Sequence, residues 1–142
     1  MPWPGSGRPG SPLPRNNLEE VILASRSRSA TTNSEDQVNH YCRGVRLFLD
    51  VTANPGNDET LTLAIEMKDP ASGKYRSITP YVPTVANTND TYIYELYPGS
   101  LETVPTPNHE VQGGSLPRTW RVKVTHSGTG VWVYSLGACL IV

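Results

Sequence analysis

Three histidines, two cysteines and a few adjacent acids are the residues of this chain that could do chemistry. His40 precedes an apolar run, His109 lies in a Pro/Gly-rich stretch and His126 sits at a turn. None has a second ligand at the spacing of HxH or HExxH, so no metal site is expected. Cys42 and Cys139 have no CxxC spacing, and each lies in an apolar run where a thiolate is disfavoured. They read as free thiols packed as small hydrophobes, with one disulfide left open if their strands are neighbours. Glu19–Glu20, Glu35–Asp36 and Asp58–Glu59 are adjacent pairs. Neighbours on a strand point to opposite faces, so these are not paired catalytic carboxylates. GxSxG and the P-loop are missing, and "GSGRPG", which has the bare GxGxxG spacing, follows no strand and opens no helix, so it does not read as a phosphate cradle. The expectation is a protein that is not an enzyme and uses no cofactor.

The elements that would position any site are strands. In "YCRGVRLFLDVTAN", Val45, Leu47, Leu49 and Val51 share one face, opposite Arg46, Phe48 and Asp50. "NPGND" closes that strand. In "ETLTLAIEMKD", Leu61, Leu63, Ile65 and Met67 point inward, with Thr62, Ala64, Glu66 and Lys68 outward. "PASGKY" turns into a return strand at Tyr75–Ile78, giving an antiparallel meander. "TYIYELYPG" places Tyr92, Tyr94 and Leu96 on one side and Ile93, Glu95 and Tyr97 on the other. Residues 99–117 read as a long loop. Trp120, Val122 and Val124 then alternate with Arg121, Lys123 and Thr125, "HSGTG" turns, and residues 131–142 return as a hairpin partner. That last strand is expected to be central or to pair with an early one. No window holds a 3.6-residue period. The fold class is all-β: an antiparallel β-barrel or jelly-roll-like sandwich of about seven or eight strands.

The chain divides into an extended N-terminal arm, residues 1–24, and an antiparallel β domain, residues 25–142. Residues 1–17 contain Pro2, Pro4, Pro9, Pro12 and Pro14 and three glycines. Such a segment is extended, reaching on the order of 50 Å at polyproline rise. Trp3, Pro4, Leu13, Leu18, Val21, Ile22 and Leu23 are its candidate protein-interaction residues, because an aromatic on a flexible segment gains most by docking. Arg26 and Arg28 would point the same way on a strand, either as a solvated face or as a basic strip for an acidic partner.

Charged residues make up 18% and the net charge is −1, which argues against a nucleic-acid partner. No run approaches the roughly 18 apolar residues of a membrane helix. No signal peptide is expected, since prolines and glycines follow Met1, and the chain is expected to be made in a reducing cytoplasm. The aromatics Tyr92, Tyr94, Tyr97, Trp120, Trp132 and Tyr134 read as core and cross-strand pairs, with Trp120 against Trp132 or Tyr134. The alternative is a sugar-stacking platform.

"LTLAIEMKDPASGKY", "TYIYELYPG" and "LPRTWRVKVTHSGTGVWVYSLGACLIV" carry a resemblance over roughly residues 42–142. The chain resembles small all-β proteins encoded among the head genes of tailed bacteriophages, of the head decoration (cement) type. "KDPASGKY", "YELYPG" and "LPRTWRVKVTH" are the most specific pieces. The likeness does not extend to residues 1–30. It implies a structural virion protein on the capsid exterior, made in the host bacterial cytoplasm. Its partners would be the major capsid protein and further copies of itself in a homotrimer, bracing the lattice through inter-subunit contacts. The alternatives are another phage structural component (a head spike, tail or head–tail joining protein) or a carbohydrate-binding β-sandwich module.

Overall fold

Period-two alternation turns each long segment into a strand with one buried face. The computed structural model describes residues 17–78, 84–85, 88–100 and 108–142. These form eleven strands and no helix: β1 (Leu18–Arg28), β2 (Thr32–Asn33), β3 (Gln37–Val38), β4 (Gly44–Ala53), β5 (Leu61–Lys68), β6 (Tyr75–Ser77), β7 (Thr84–Val85), β8 (Thr91–Tyr97), β9 (His109–Gly113), β10 (Thr119–His126) and β11 (Trp132–Ile141).

Two sheets face each other. One runs β1-β11-β4-β8-β9, and the other runs β2-β10-β5-β6, with β3 also on β10 and β7 also on β5. The pairings are nested: β1 with β11, β2 and β3 with β10, β4 with β8, β5 with β6 and β7. The first half of the chain is thus laid antiparallel against the second and wound over both sheets, as in a jelly roll. β2, β3, β6 and β7 are only two or three residues long and share places in pairs, which accounts for more segments than the sequence suggests. The sheets do not close into a barrel. They make an all-β sandwich.

The core is drawn from the inward faces read above. Val45, Leu47, Leu49 and Val51 of β4 meet Leu61, Leu63 and Ile65 of β5, Trp120, Val122 and Val124 of β10, and Trp132, Tyr134 and Leu136 of β11. Burying each large aliphatic side chain contributes about 1.5–3 kcal/mol before the entropy of ordering is subtracted. Sheet packing also fixes Gly44. A Cβ there would collide with the Leu96 carbonyl oxygen and lie 2.9 Å from the Tyr97 ring, so β4 and β8 approach this closely only over a glycine.

Four sequence expectations change. "HSGTG" does not close a hairpin: β10 and β11 lie in opposite sheets, so Trp120 is not a cross-strand neighbour of Trp132 or Tyr134. "NPGND" likewise carries the chain from β4 in one sheet to β5 in the other, leaving only β5–β6 of the expected meander as a hairpin. These two crossings lie side by side, joined by Thr60 N–H to Ser127 Oγ (2.8 Å) and by Gly130 N–H to Glu59 Oε1 (2.8 Å). The expected loop 99–117 contains β9, which pairs parallel with β8. On β5 the alternation slips near its end: Met67 is 43% exposed at the rim, while Glu66 is buried. The Arg121 guanidinium covers Glu66, donating from Nε to Glu66 Oε1 at 2.8 Å.

The β5–β6 turn is built as its residues require. Asp69 Oδ1 accepts from Ala71 N–H (3.0 Å), Asp69 Oδ2 accepts from Ser72 Oγ–H (2.6 Å), and Gly73 takes φ 74°. The last strand, β11, is central, between β1 and β4.

Candidate interaction surface

β1 is the edge of its sheet, and its residues are mostly exposed on both faces. Of the residues expected on the arm, Trp3, Pro4 and Leu13 lie outside the described residues. Leu18, Val21, Ile22 and Leu23 lie within β1, which pairs with β11 through Leu18, Val21 and Leu23, and not on a free arm. The sheet therefore starts at Leu18 rather than at residue 25, because "LEEVILA" completes the ladder on β11. Leu18 and Val21 are 38% and 76% exposed, whereas Ile22 and Leu23 pack partly on the core.

Register shifts between Val21 and Leu23 and between Leu23 and Arg26 show that β1 is bulged. A bulge frees carbonyls from the ladder and bends the strand. Arg28 occupies the gap: it donates to the Ala24 carbonyl (2.7 Å) and the Tyr134 carbonyl (2.7 Å), and its guanidinium lies 4.6 Å from the Tyr134 ring centroid. Arg26 and Arg28 stand opposite Tyr134 and Trp132 on one face, as their spacing suggests. Of the two, only Arg26 is exposed, while Arg28 is half-buried and tied to β11, so a two-arginine strip does not form.

Beside β1, the outer face of the sheet carries a row set by register: Val21, Gly137, Phe48, Ile93 and His109. Phe48, Gly137 and Ile93 are half-buried, which makes an apolar band across three strands. The next row is ionic. Arg46 Nε donates to Glu95 Oε1 at 2.6 Å, and His109 Nε2 stands 3.4 Å from the same oxygen. Sequence alternation locates this face but not its breadth, since the breadth depends on which strands are neighbours.

On the outer face of the other sheet, one cluster of side chains is tied together. Arg121 lies 3.4 Å over the Tyr75 ring, Tyr75 Oη donates to Asp36 Oδ1 (2.6 Å), and Lys68 Nζ donates to Asp36 Oδ2 (2.9 Å). The hydrogen bonds from Tyr75 and Lys68 hold the Asp36 carboxyl below its usual range. Trp120 and Trp132 are 1% and 0% exposed, and Tyr94 and Tyr134 are buried with them. A sugar-stacking platform cannot be made from these rings.

The thiols are free; Cys42 is buried and Cys139 half-buried. Burial, with Glu20 and Cys139 nearby, pushes the Cys42 thiol up and away from thiolate chemistry. Among the described residues no group of three or more His, Cys, Asp or Glu could hold a metal ion, and no helix is long and apolar enough to cross a membrane.

Two interior titratable groups give an acid-range signature. Glu110 on β9 is 5% exposed, and burial raises its carboxyl above the ordinary 4.5. Its folded form holds a proton that the unfolded form releases, so its contribution is intact below pH 4.5 and is lost as pH rises through the folded value. His126 on β10 shares a hydrogen bond with Tyr134 Oη (Nε2 to oxygen 3.0 Å). Burial and then Arg28 lower it from 6.5, against a smaller upward pull from Glu59. Its contribution is intact above pH 6.5 and is lost as pH falls through the folded value. Glu110→Gln should therefore raise the melting temperature at neutral pH, with the gain vanishing below pH 4.5. It should also expose the loss on acidification that His126 causes. Melting curves across this range check both signs.

No family model, no curated protein and no solved structure matches this chain.

Proposed function

We propose that this chain is a structural virion protein: a capsid decoration protein that binds the outer surface of a phage head and stabilises the lattice through inter-subunit contacts. The observation that carries this reading is the exposed edge strand β1 beside a half-buried apolar band on the outer face of the same sheet. Such a body acts by contact. Several of its polar groups are engaged in internal ties, at Glu66–Arg121, Asp36–Tyr75 and Glu59–Gly130. The jelly-roll winding occurs in viral capsid and lectin domains alike and does not choose between them. The buried tryptophans count against the carbohydrate-binding alternative.

The partners in this reading are the major capsid protein and further copies of the chain, with the homotrimer as the assembly that the sequence resemblance implies. Many copies on one particle would add avidity to a contact that is weak singly. The test is co-sedimentation of the purified full chain with isolated phage heads before and after expansion. Saturable binding to expanded heads is expected. Equal sedimentation with and without heads would refute the reading. A saturating stoichiometry of only a few copies per particle would move it to a spike or joining protein.

A further inference from the structure

We infer that β1 is a homotypic pairing edge: two copies join through their β1 strands, antiparallel about a two-fold axis at Leu23, so that their sheets become continuous. β1 ends its sheet, and no described strand lies beyond it. An edge of this length presents unpaired backbone groups, which is the usual template for strand addition. The charges say which strand fits. The sequence "LEEVILASRSR" is acidic in its first half and basic in its second.

Glu20 and Arg26 are equidistant from Leu23 and stand opposite the inward-facing Ala138 and Tyr134, so both lie on the same face of the sheet. In an antiparallel pair centred on Leu23, Glu20 of each copy falls opposite Arg26 of the other, twice per interface. The bulges fall in the middle of the strand, so Leu18–Val21 of one copy meets the segment around Arg26–Arg28 of the other, where the ladder is regular. Leu18 and Val21, exposed in the single chain, would gain cover. Charges and bulges on an edge normally discourage pairing. Here opposite signs occupy symmetry-related positions, which admits a second copy while still repelling strands of other patterns. Arg28 remains tied to β11 and is not needed for the contact. The inference is independent of head binding, and a two-fold contact differs from the trimer that the resemblance implies.

A charge-swap cycle on the full chain tests it by sedimentation velocity. The wild-type chain should show a concentration-dependent dimer. Glu20→Arg alone sets arginine against arginine at both contacts, and Arg26→Glu alone sets glutamate against glutamate. Each single variant should therefore self-associate about tenfold more weakly. The double variant restores opposite charges at both contacts and should restore the dimer. In a mixture of the two single variants, one contact pairs the introduced arginine with the introduced glutamate and the other keeps the native Glu20–Arg26 pair, so the mixed dimer should also form. Both positions are exposed, and circular dichroism confirms that each variant is folded. A monomeric or purely trimeric wild type, single variants that associate like the wild type, or a mixture that stays dissociated would each overturn the proposal. Head co-sedimentation is read separately, so either idea can fail without the other.

Discussion

Trp120→Ala should cost about 3–5 kcal/mol, the range for deleting a buried aromatic side chain, and so remove much of a stability that for domains is typically about 5–15 kcal/mol. Trp120 is 1% exposed. It stands opposite Met67 of β5 on one side and Gln37 of β3 on the other. No element can move into the space it fills, because both neighbours are pinned by the β10 ladder. Its indole Nε1 has no hydrogen-bond partner among the described residues, so alanine forfeits apolar packing only. Trp120→Phe should cost less than half as much, since a ring is kept and an unpaired buried donor is removed. Urea unfolding followed through Trp132 checks both. A Trp120→Ala loss below about 1 kcal/mol would mean that the two sheets do not meet at this residue.

Removal of residues 1–16 is the second large effect. The sandwich should keep its melting temperature, because the first described tie of the chain to the domain is at Asn17, whose Oδ1 accepts from Val142 N–H at 3.2 Å. On the proposed function, binding to expanded heads should weaken at least about a hundredfold, the sum of one or two hot-spot anchors, for which Trp3 and Leu13 are the candidates. Ordering an extended segment costs about 1–2 kcal/mol per residue, so it binds usefully only where apolar anchors find pockets. Trp3→Ala alone should give an intermediate loss. Truncated protein that binds heads as tightly as the full chain would leave β1 and the apolar band as the whole contact.

The faces of the strands are legible in the sequence, and the partners of the strands are not. Period two correctly sorts Val45 to Val51, Tyr92 to Leu96 and Trp120 to Val124, because side-chain alternation is a local property. "HSGTG" and "NPGND" look like hairpin turns because Gly, Asn and Asp permit any tight reversal. Whether the chain then returns along the same sheet or crosses to the other depends on nested long-range pairing that no short window contains. β9 is hidden because Pro105, Pro107 and Gly114 flank it and Gly113 ends it. Its inward residues are Glu110 and Gln112, which do not look like core. Tyr94 makes Gln112 tolerable by donating its hydroxyl to the amide oxygen.

The interaction surface is half legible. Leu18, Val21, Ile22 and Leu23 stand out as apolar residues after a proline-rich start, but their place on β1 follows from pairing with β11. The symmetry of Glu20 and Arg26 acquires meaning only once β1 is known to be an edge. The Arg28 clamp has no signal in the sequence, since it exists to fill a bulge.

The proposed function has the protein act by contact rather than turnover at the outside of a shell, and a reconstruction of the assembled particle addresses that proposal directly. The sandwich should appear as density repeated across the outer capsid lattice, at junctions between capsomers, with the β1 side turned toward a neighbour. A particle whose exterior lacks this density, in a preparation where the chain is present and folded, would contradict it.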